Sequence, residues 1–296
     1  MDILITGGTG FIGRRLCAQL LAQGHRLYVL TRSPGKPAPP GVHYLGRLDD
    51  LGPVDAVVNL AGEPLTEGRW NAARKQAFLD SRLGTTGALL AWMRTLPTPP
   101  QVLVSGSAIG YYGPRDATAL DENAAPGEDF AAHLCRQWEA EAFAAEAIGV
   151  RTCVLRTGIV LDRDGGALAR MLPPFRLGLG GPMGDGEQWM SWIHRDDLVG
   201  MILWLLAEPT ARGAYNGTAP GALSNRAFAT TLGEVLRRPA RLPTPAFALK
   251  LAFGEMAGLL LTGQNVVPAR AVQGGYRFQY PTLKDALQAI MAAPAG

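Results

Sequence analysis

Residues 1–16 read MDILITGGTGFIGRRL and indicate the class of fold. An apolar run at Ile3–Thr6, typical of a buried strand, leads through a glycine cluster into an amphipathic segment that begins at Phe11. The cluster has glycines at every third position, namely Gly7, Gly10 and Gly13. In such a turn the first glycine permits a sharp bend, the second lets backbone approach a pyrophosphate, and the third lets helix and strand pack closely. The stretch therefore predicts a dinucleotide-phosphate site at the N-terminus of the first helix, with an unliganded glycine turn as the alternative.

The length, charge and cysteine content of the chain exclude several classes of protein. The chain has 296 residues, 47% of them hydrophobic, which suffices for a large core. Its net charge is +3 without any basic run, so we expect no nucleic-acid partner. The three cysteines are far apart and form no CxxC pair, which favours reduced thiols in a cytoplasmic protein and no metal site. No apolar run reaches the roughly 18–20 residues of a membrane span, so we expect no membrane partner either.

Short apolar strands alternate with helical segments over the first half of the chain. The predicted strands are Ile3–Thr6, Arg26–Thr31, Val42–Leu45, Asp55–Leu60, Val102–Ser105 and Val150–Arg156. The predicted helices are Phe11–Ala22, Trp70–Arg94 and Phe130–Ala147. Strands joined by crossover helices predict an α/β fold, a Rossmann-like doubly wound parallel sheet with both faces covered. We expect a nucleotide-binding domain over residues 1–160, completed by parts of 190–220.

The pattern changes in the second half. A long glycine-rich loop begins at residue 178, and helices are predicted at 196–207, at 225–236 and around 246–261, with a short strand at 214–217. These elements predict a smaller, mostly helical substrate-side cap region over 161–296.

The end of the second strand selects the cofactor. An NAD-binding protein usually places an acidic residue there, about 20 residues after the glycines, to hold the ribose hydroxyls. This chain has Thr31 and Arg32 instead, and a guanidinium pairs well with a 2′-phosphate. The sequence therefore favours NADP(H) over NAD(H), the alternative being that Arg32 is a solvated loop cation.

Several motifs together resemble a known superfamily. They are GGTGFIG, NLAG at 59–62, VSGSA followed by YYG at 104–113, and LRTG at 155–158. This set resembles the extended short-chain dehydrogenase/reductase superfamily. Further stretches are similar to its atypical "epimerase family" subgroup: Arg69-Trp70, Ser81-Arg82, SAIGYYG, Phe130, Trp138-Glu139, PFRLGLGGPMGDGEQWMSWIH at 174–194 and YPTL at 280–283. The resemblance implies an epimerase/dehydratase-like N-terminus and a small C-terminal domain of the subgroup's own, at about 245–292.

The resemblance also implies a set of cofactor contacts. Gly7, Thr9, Gly10, Phe11, Ile12 and Gly13 would hold the phosphates, Thr31 and Arg32 the adenosine phosphate, and Leu60, Ala61, Gly62, Arg82, Ser105 and Cys135 the remainder. For Arg82 a helix-surface charge is an equal alternative.

The superfamily's catalytic helix departs from its usual pattern here. Its chemistry uses a serine or threonine and a YxxxK pair, in which the lysine lowers the pKa of the tyrosine that transfers the proton. Counting back from Glu139 puts Ala131 in the tyrosine position and Cys135 in the lysine position. A YxxxK does occur at Tyr280–Lys284, but it contains a proline and lies near the C-terminus, and we interpret it as a surface turn.

Three other residues remain as catalytic candidates. Ser107 is the superfamily serine if the motif is aligned from Ser107-Ala108, whereas alignment back from Tyr112-Gly113 puts Ala108 there. Tyr111 is a replacement acid or else a core aromatic. His194 is an outside candidate, with Asp196 or Asp197 expected to cap a helix from about residue 198.

An apolar substrate pocket is the last feature that the sequence suggests. Its expected lining is Met171, Phe175, Trp189 and Trp192, with ordinary core packing as the alternative. Two functions remain open: an NADP(H)-dependent oxidoreductase or epimerase-like enzyme acting on a small organic molecule, and a non-catalytic NADP(H)-binding sensor or scaffold.

Overall fold

Seven parallel strands form the central sheet in the computed structural model, which describes residues 1–66 and 68–293. The strands of the chain are β1 Asp2–Thr6, β2 Arg26–Leu30, β3 Val42–Leu45, β4 Ala56–Asn59, β5 Val102–Ala108, β6 Ala119–Leu120, β7 Arg151–Thr157, β8 Ile159–Asp162, β9 Trp189–Met190, β10 Trp192–His194, β11 Gly213–Gly217, β12 Leu223–Ser224 and β13 Asn265–Val266. The strand order in the central sheet is β11-β7-β5-β4-β1-β2-β3, so the chain starts near the middle of the sheet and winds outwards in both directions. The predicted Rossmann-like doubly wound sheet is confirmed, and β1 and β4 adjoin at the point where the winding direction reverses.

Helices cover both faces of this sheet. They are α1 Phe11–Ala22, α2 Ala72–Leu79, α3 Thr85–Thr95, α4 Phe130–Phe143, α5 Gly166–Arg176, α6 Arg195–Ala207, α7 Asn225–Leu236, α8 Ala246–Phe253, α9 Gly258–Leu261, α10 Ala269–Gln273 and α11 Leu283–Ala292. Leu16 and Leu20 of α1 pack with Ile202 of α6 on one face. Leu89 and Met93 of α3 cover the other, because successive strand residues point to opposite faces. Among the described residues, no helix is both long and apolar enough to span a membrane.

The long helical region predicted from residue 70 to residue 94 is present with one irregularity. A π-helical turn at Asp80–Gly84 joins α2 to α3 and carries Arg82. Such turns are rare and recur at functional sites, because the extra residue rotates the side chains that follow.

The second half of the chain builds its own core beside the sheet. Leu168 of α5, Phe228 of α7 and Leu287 of α11 meet around Trp192, which is fully buried. The short strand predicted at 214–217 is β11, which extends the main sheet next to β7. The helix predicted over 246–261 is divided into α8 and α9, because Gly254 adopts a positive φ of 61° that ends α8.

Candidate cofactor and catalytic site

The glycine turn forms a cradle that has no room for side chains. Gly7 has a φ of +68°, and a Cβ there would lie 2.6 Å from the carbonyl oxygen of Leu60. A Cβ on Gly13 would lie 2.2 Å from the carbonyl oxygen of Gly7. Gly10 caps α1 without a side-chain hydrogen bond, so the first amides of the helix face outwards. The cradle fits a pyrophosphate, which those amides and the helix dipole attract.

Buried hydroxyl and amide groups tie the two strand ends beside this cradle. The hydroxyl of Thr6 donates to Asn59 Oδ1 over 2.6 Å, and Asn59 Nδ2 donates to Thr86 Oγ1 over 2.9 Å. The backbone amide of Ala61 donates to Thr6 Oγ1 over 3.2 Å. These contacts fix the Leu60–Gly62 turn. Sequence reasoning did not single out Thr6 or Asn59, although a polar residue that ends an apolar strand is a usable signal.

Thr31 and Arg32 lie where the second strand ends. The hydroxyl of Thr31 accepts a hydrogen bond from the amide of Ser33 over 3.2 Å. The side chain of Arg32 is 94% exposed and its Nη1 lies 3.4 Å from Glu63 Oε1. The sequence reasoning missed Glu63, because it follows β4 and meets Arg32 only in the folded chain.

Arg82 is only 9% exposed, so the interpretation of this residue as a helix-surface charge is wrong. Its guanidinium donates to the carbonyl oxygen of Glu63 over 3.0 Å and lies 5.2 Å from the ring of Trp138. A Cβ on Gly62 would approach its Cζ to 2.9 Å, so only glycine leaves it this room. Within the described residues no carboxylate forms an ion pair with Arg82, and burial lowers its pKa. The nearby strand ends therefore face a guanidinium whose charge no paired carboxylate neutralises.

The two residues that the sequence predicts at the positions of the superfamily's tyrosine and lysine are small and buried. Ala131 and Cys135 lie on the buried face of α4, against Gly110. Burial, together with the nearby carboxylate of Glu139, raises the pKa of the Cys135 thiol to about 11, although Ser107 and Arg82 act in the opposite direction. Cys135 is therefore a neutral thiol at physiological pH. Ser105, expected at the same end of β5, is fully buried and lies 3.4 Å from Asn59 Nδ2.

Ser107 is part of a buried polar network. Its hydroxyl donates to Glu139 Oε1 over 2.6 Å, and both carboxylate oxygens of Glu139 pair with Arg156 at 2.9 Å. The guanidinium of Arg156 lies 3.5 Å from the ring centroid of Tyr111. It also donates to the hydroxyl of Tyr112 over 2.9 Å. The structure therefore brings the two candidates Ser107 and Tyr111 to one arginine.

His194 caps a helix. Its Nδ1 accepts from the amide of Asp196 over 3.0 Å, so α6 begins at Arg195 and the expected aspartate cap near residue 198 is wrong. Burial lowers the pKa of the imidazole, which packs against the ring of Tyr280 with ring centroids 4.1 Å apart and planes tilted by 34°. Tyr280 is half-buried, whereas Pro281, Thr282 and Lys284 are exposed, so the Tyr280–Lys284 stretch is the expected surface turn into α11. Asp197, the other expected cap, accepts from the amides of residues 279 and 280.

The four residues expected to line an apolar pocket differ in burial. Trp192 and Phe175 are buried in the second core, and the indole nitrogen of Trp192 donates to the carbonyl oxygen of Gly221 over 2.8 Å. Met171 and Trp189 are half-buried. Phe175 and Trp192 are therefore core residues. No group of three histidine, cysteine, aspartate or glutamate side chains suited to a metal ion occurs within residues 1–66 and 68–293.

The sheet order and the glycine cradle define a dinucleotide-binding protein of the doubly wound α/β class. A model of the NAD-dependent epimerase/dehydratase family matches residues 3–216, and a model of a domain of unknown function, DUF1731, matches residues 244–290. The chain belongs to the NAD-dependent epimerase/dehydratase family, and the resemblance to its "epimerase family" subgroup is confirmed.

Named relatives cover the chain almost entirely. The Epimerase family protein SDR39U1 homolog, chloroplastic, of Arabidopsis thaliana is 44% identical over 98% of this chain and 87% of its own length. Epimerase family protein SDR39U1 of Homo sapiens is 40% identical over 99% of this chain and 100% of its own. The crystal structure of human SDR39U1 (isoform 2) with NADPH superimposes with a TM-score of 0.89 at 39% identity, over 98% of this chain and 99% of that chain.

Proposed function

We propose that the protein is an atypical short-chain dehydrogenase/reductase that binds NADP(H) and transfers a hydride to or from a small organic substrate. The observation that carries the proposal is the cradle of Gly7 and Gly13 at the open N-terminus of α1, in which a Cβ on either glycine meets backbone. The prediction of NADP(H) agrees with the NADPH present in the human relative's structure. The preference for NADP(H) is also supported by the end of β2, where Arg32 is present in place of the acidic residue that is typical of NAD-binding proteins.

Three residues expected near the nicotinamide would bind the cofactor, position the substrate and transfer the proton. Bound NADPH supplies the hydride. Arg82 places a positive charge near Cys135, where the resemblance puts the superfamily's lysine, and its guanidinium would donate hydrogen bonds to the ribose hydroxyls of the cofactor. Ser107 donates its own proton to Glu139, so it would position the substrate oxygen by accepting a hydrogen bond from it in the alcohol form of the substrate. Tyr111, half-buried against Arg156, donates its phenolic proton to that oxygen and regains it from solvent.

A second candidate function is a non-catalytic NADP(H)-binding sensor or scaffold. Two observations favour it: Ala131 and Cys135 replace the usual pair, and the hydroxyl proton of Ser107 is already donated to Glu139. The cytoplasmic location and the absence of nucleic-acid and membrane partners stay predictions, and one relative is named as chloroplastic.

Calorimetry and turnover assays test the two functions together. We expect NADPH to bind, and its oxidation with a carbonyl or sugar-nucleotide panel to be lost in the double variant Ser107→Ala/Tyr111→Phe. Tyr28→Phe, a half-buried tyrosine of β2, is the matched control. Unchanged turnover in the double variant contradicts the assigned residues, whereas tight NADPH binding by the wild type with no turnover favours the sensor. Wild-type protein that binds neither NADPH nor NADPH analogues contradicts both.

A further inference from the structure

One carboxylate is held between two guanidinium groups at the adenosine end of the site. Nη1 of Arg32 lies 3.4 Å from Oε1 of Glu63, and Nη1 of Arg74 lies 3.6 Å from Oε2 of the same residue. The two arginines come from different segments: Arg32 lies in the loop after β2, and Arg74 lies in the first turn of α2. Only folding brings them to one anion, so the sequence motifs around Arg32 did not point to Arg74.

The three side chains differ in how firmly they are held. The backbone of Glu63 is fixed, because its amide donates to Ser81 Oγ over 3.0 Å and its carbonyl accepts from Arg82. Arg74 is held on α2, with its guanidinium 5.2 Å from the ring of Phe78 and its side chain 29% exposed. Arg32 is almost fully exposed. An incoming ligand therefore meets Arg74, which is packed on α2, and Arg32, which is exposed to solvent. The carboxylate of Glu63 lies between them, at 3.4 Å from Arg32 and 3.6 Å from Arg74.

Space for a ligand group lies beside Arg74. An open cavity of about 550 Å³ is bordered by the loop before α2 and by one face of that helix. Its lining residues are Gly68, Arg69, Asn71, Ala73, Arg74 and Ala77. The described part of the lining includes the guanidinium groups of Arg69 and Arg74, which attract an anionic group.

We propose that Arg74 is the second arginine for the 2′-phosphate of NADP(H), and that Glu63 occupies the place of that phosphate until the cofactor displaces it. A phosphate dianion carries more charge than a carboxylate and accepts paired hydrogen bonds from two guanidiniums at once. NAD(H) has no such group and leaves Glu63 paired with both arginines. Arg74 and Glu63 thus set the preference between the two cofactors, an inference that rests on the proposed binding of NADP(H).

Calorimetry with four ligands separates the adenosine end from the rest of the cofactor. The ligands are NADPH, NADH, adenosine 2′,5′-bisphosphate and 5′-AMP, each titrated into the wild type, Arg74→Gln, Arg74→Lys and Glu63→Gln. We expect Arg74→Gln to weaken NADPH and the bisphosphate by about tenfold and to leave NADH and 5′-AMP unchanged. Arg74→Lys keeps the positive charge but loses the paired N–H donors of the guanidinium, so its NADPH affinity should lie between those of the wild type and Arg74→Gln. Glu63→Gln removes the competing anion, so NADPH binds several-fold more tightly, and this gain shrinks as salt is added.

The control is Arg94→Gln, an exposed arginine at the end of α3 whose loss changes the net charge equally. An unchanged NADPH-to-NADH affinity ratio in Arg74→Gln overturns the inference while leaving the proposed function standing. Weaker NADH binding by Glu63→Gln without tighter NADPH binding also overturns it, since Glu63 would then be a ribose ligand. A wild type that binds none of the cofactors removes the proposed function itself.

Discussion

The hydroxyl of Ser107 donates a 2.6 Å hydrogen bond to the buried carboxylate of Glu139, which pairs through both of its oxygens with Arg156. Ser107, a candidate for the chemistry, therefore also hydrogen-bonds the acidic member of a buried charge pair. The hydrogen bonds around this buried ion pair stabilise it. Without them, or without one of the two charges, the burial of an unpaired ion would cost several kcal/mol of folding free energy.

Replacement of Glu139 by glutamine should therefore destabilise the fold strongly. Glutamine keeps the shape and accepts the hydrogen bond from Ser107, but it leaves the buried guanidinium of Arg156 without its counter-ion. We expect the free energy of unfolding to fall by about 3–5 kcal/mol, measured by urea denaturation. Asp49→Asn breaks the exposed Arg47 pair and should change it little. Equal effects of the two variants would contradict the assignment of Glu139 to the core of the network.

Replacement of Arg82 by methionine should separate stability from function. Methionine fills a similar volume without a charge, and the guanidinium that it removes is buried with no paired carboxylate in the described part of the chain. We expect the cofactor-free protein to be as stable as the wild type or slightly more so, while NADPH affinity falls at least tenfold. Thermal unfolding and calorimetry measure the two effects. A variant that loses stability but binds NADPH normally would show that Arg82 has only a structural role.

Local patterns were sufficient for the nucleotide-binding half of the fold. The apolar run before Gly7 and the amphipathic segment after it are short-range features, and each strand predicted there is present with ends shifted by at most a few residues. Helix caps were less predictable. His194 is a rarer cap than an aspartate, and its role depends on packing against Tyr280, which comes from a distant part of the chain.

The candidate site was predictable only where one segment builds it. Gly7 and Gly13 act through their own backbone, so their spacing in the sequence is informative. The contacts of Glu63 and of Ser107 join residues that are far apart in the chain, so no local sequence pattern predicts these contacts. The burial of Arg82 depends on a π-helical turn, which apolar periodicity does not reveal.

Replacement of Gly13 by alanine should disrupt the cradle. The added methyl group would lie 2.2 Å from the carbonyl oxygen of Gly7, and backbone has little freedom to move aside. We expect a loss of about 1–3 kcal/mol in the free energy of unfolding and the loss of measurable NADPH binding. Gly35→Ala is the matched control, because nothing lies within 4 Å of its added Cβ. Normal NADPH affinity in Gly13→Ala would contradict the placement of the pyrophosphate.

The burial of His194 should make the stability of the protein depend on pH. Its pKa is lowered from 6.5 in the folded state, chiefly by burial, so below about pH 6.5 the unfolded chain takes up a proton that the folded chain does not. The free energy of unfolding should therefore fall as the pH drops from 7.5 to 5. His194→Asn keeps an N-cap and removes the titration, so its unfolding midpoint should change less over the same range. His133→Asn, at an exposed position on α4, should retain the wild-type pH dependence. If the two variants lose stability equally between pH 7.5 and 5, the neutral buried state of His194 is not the cause.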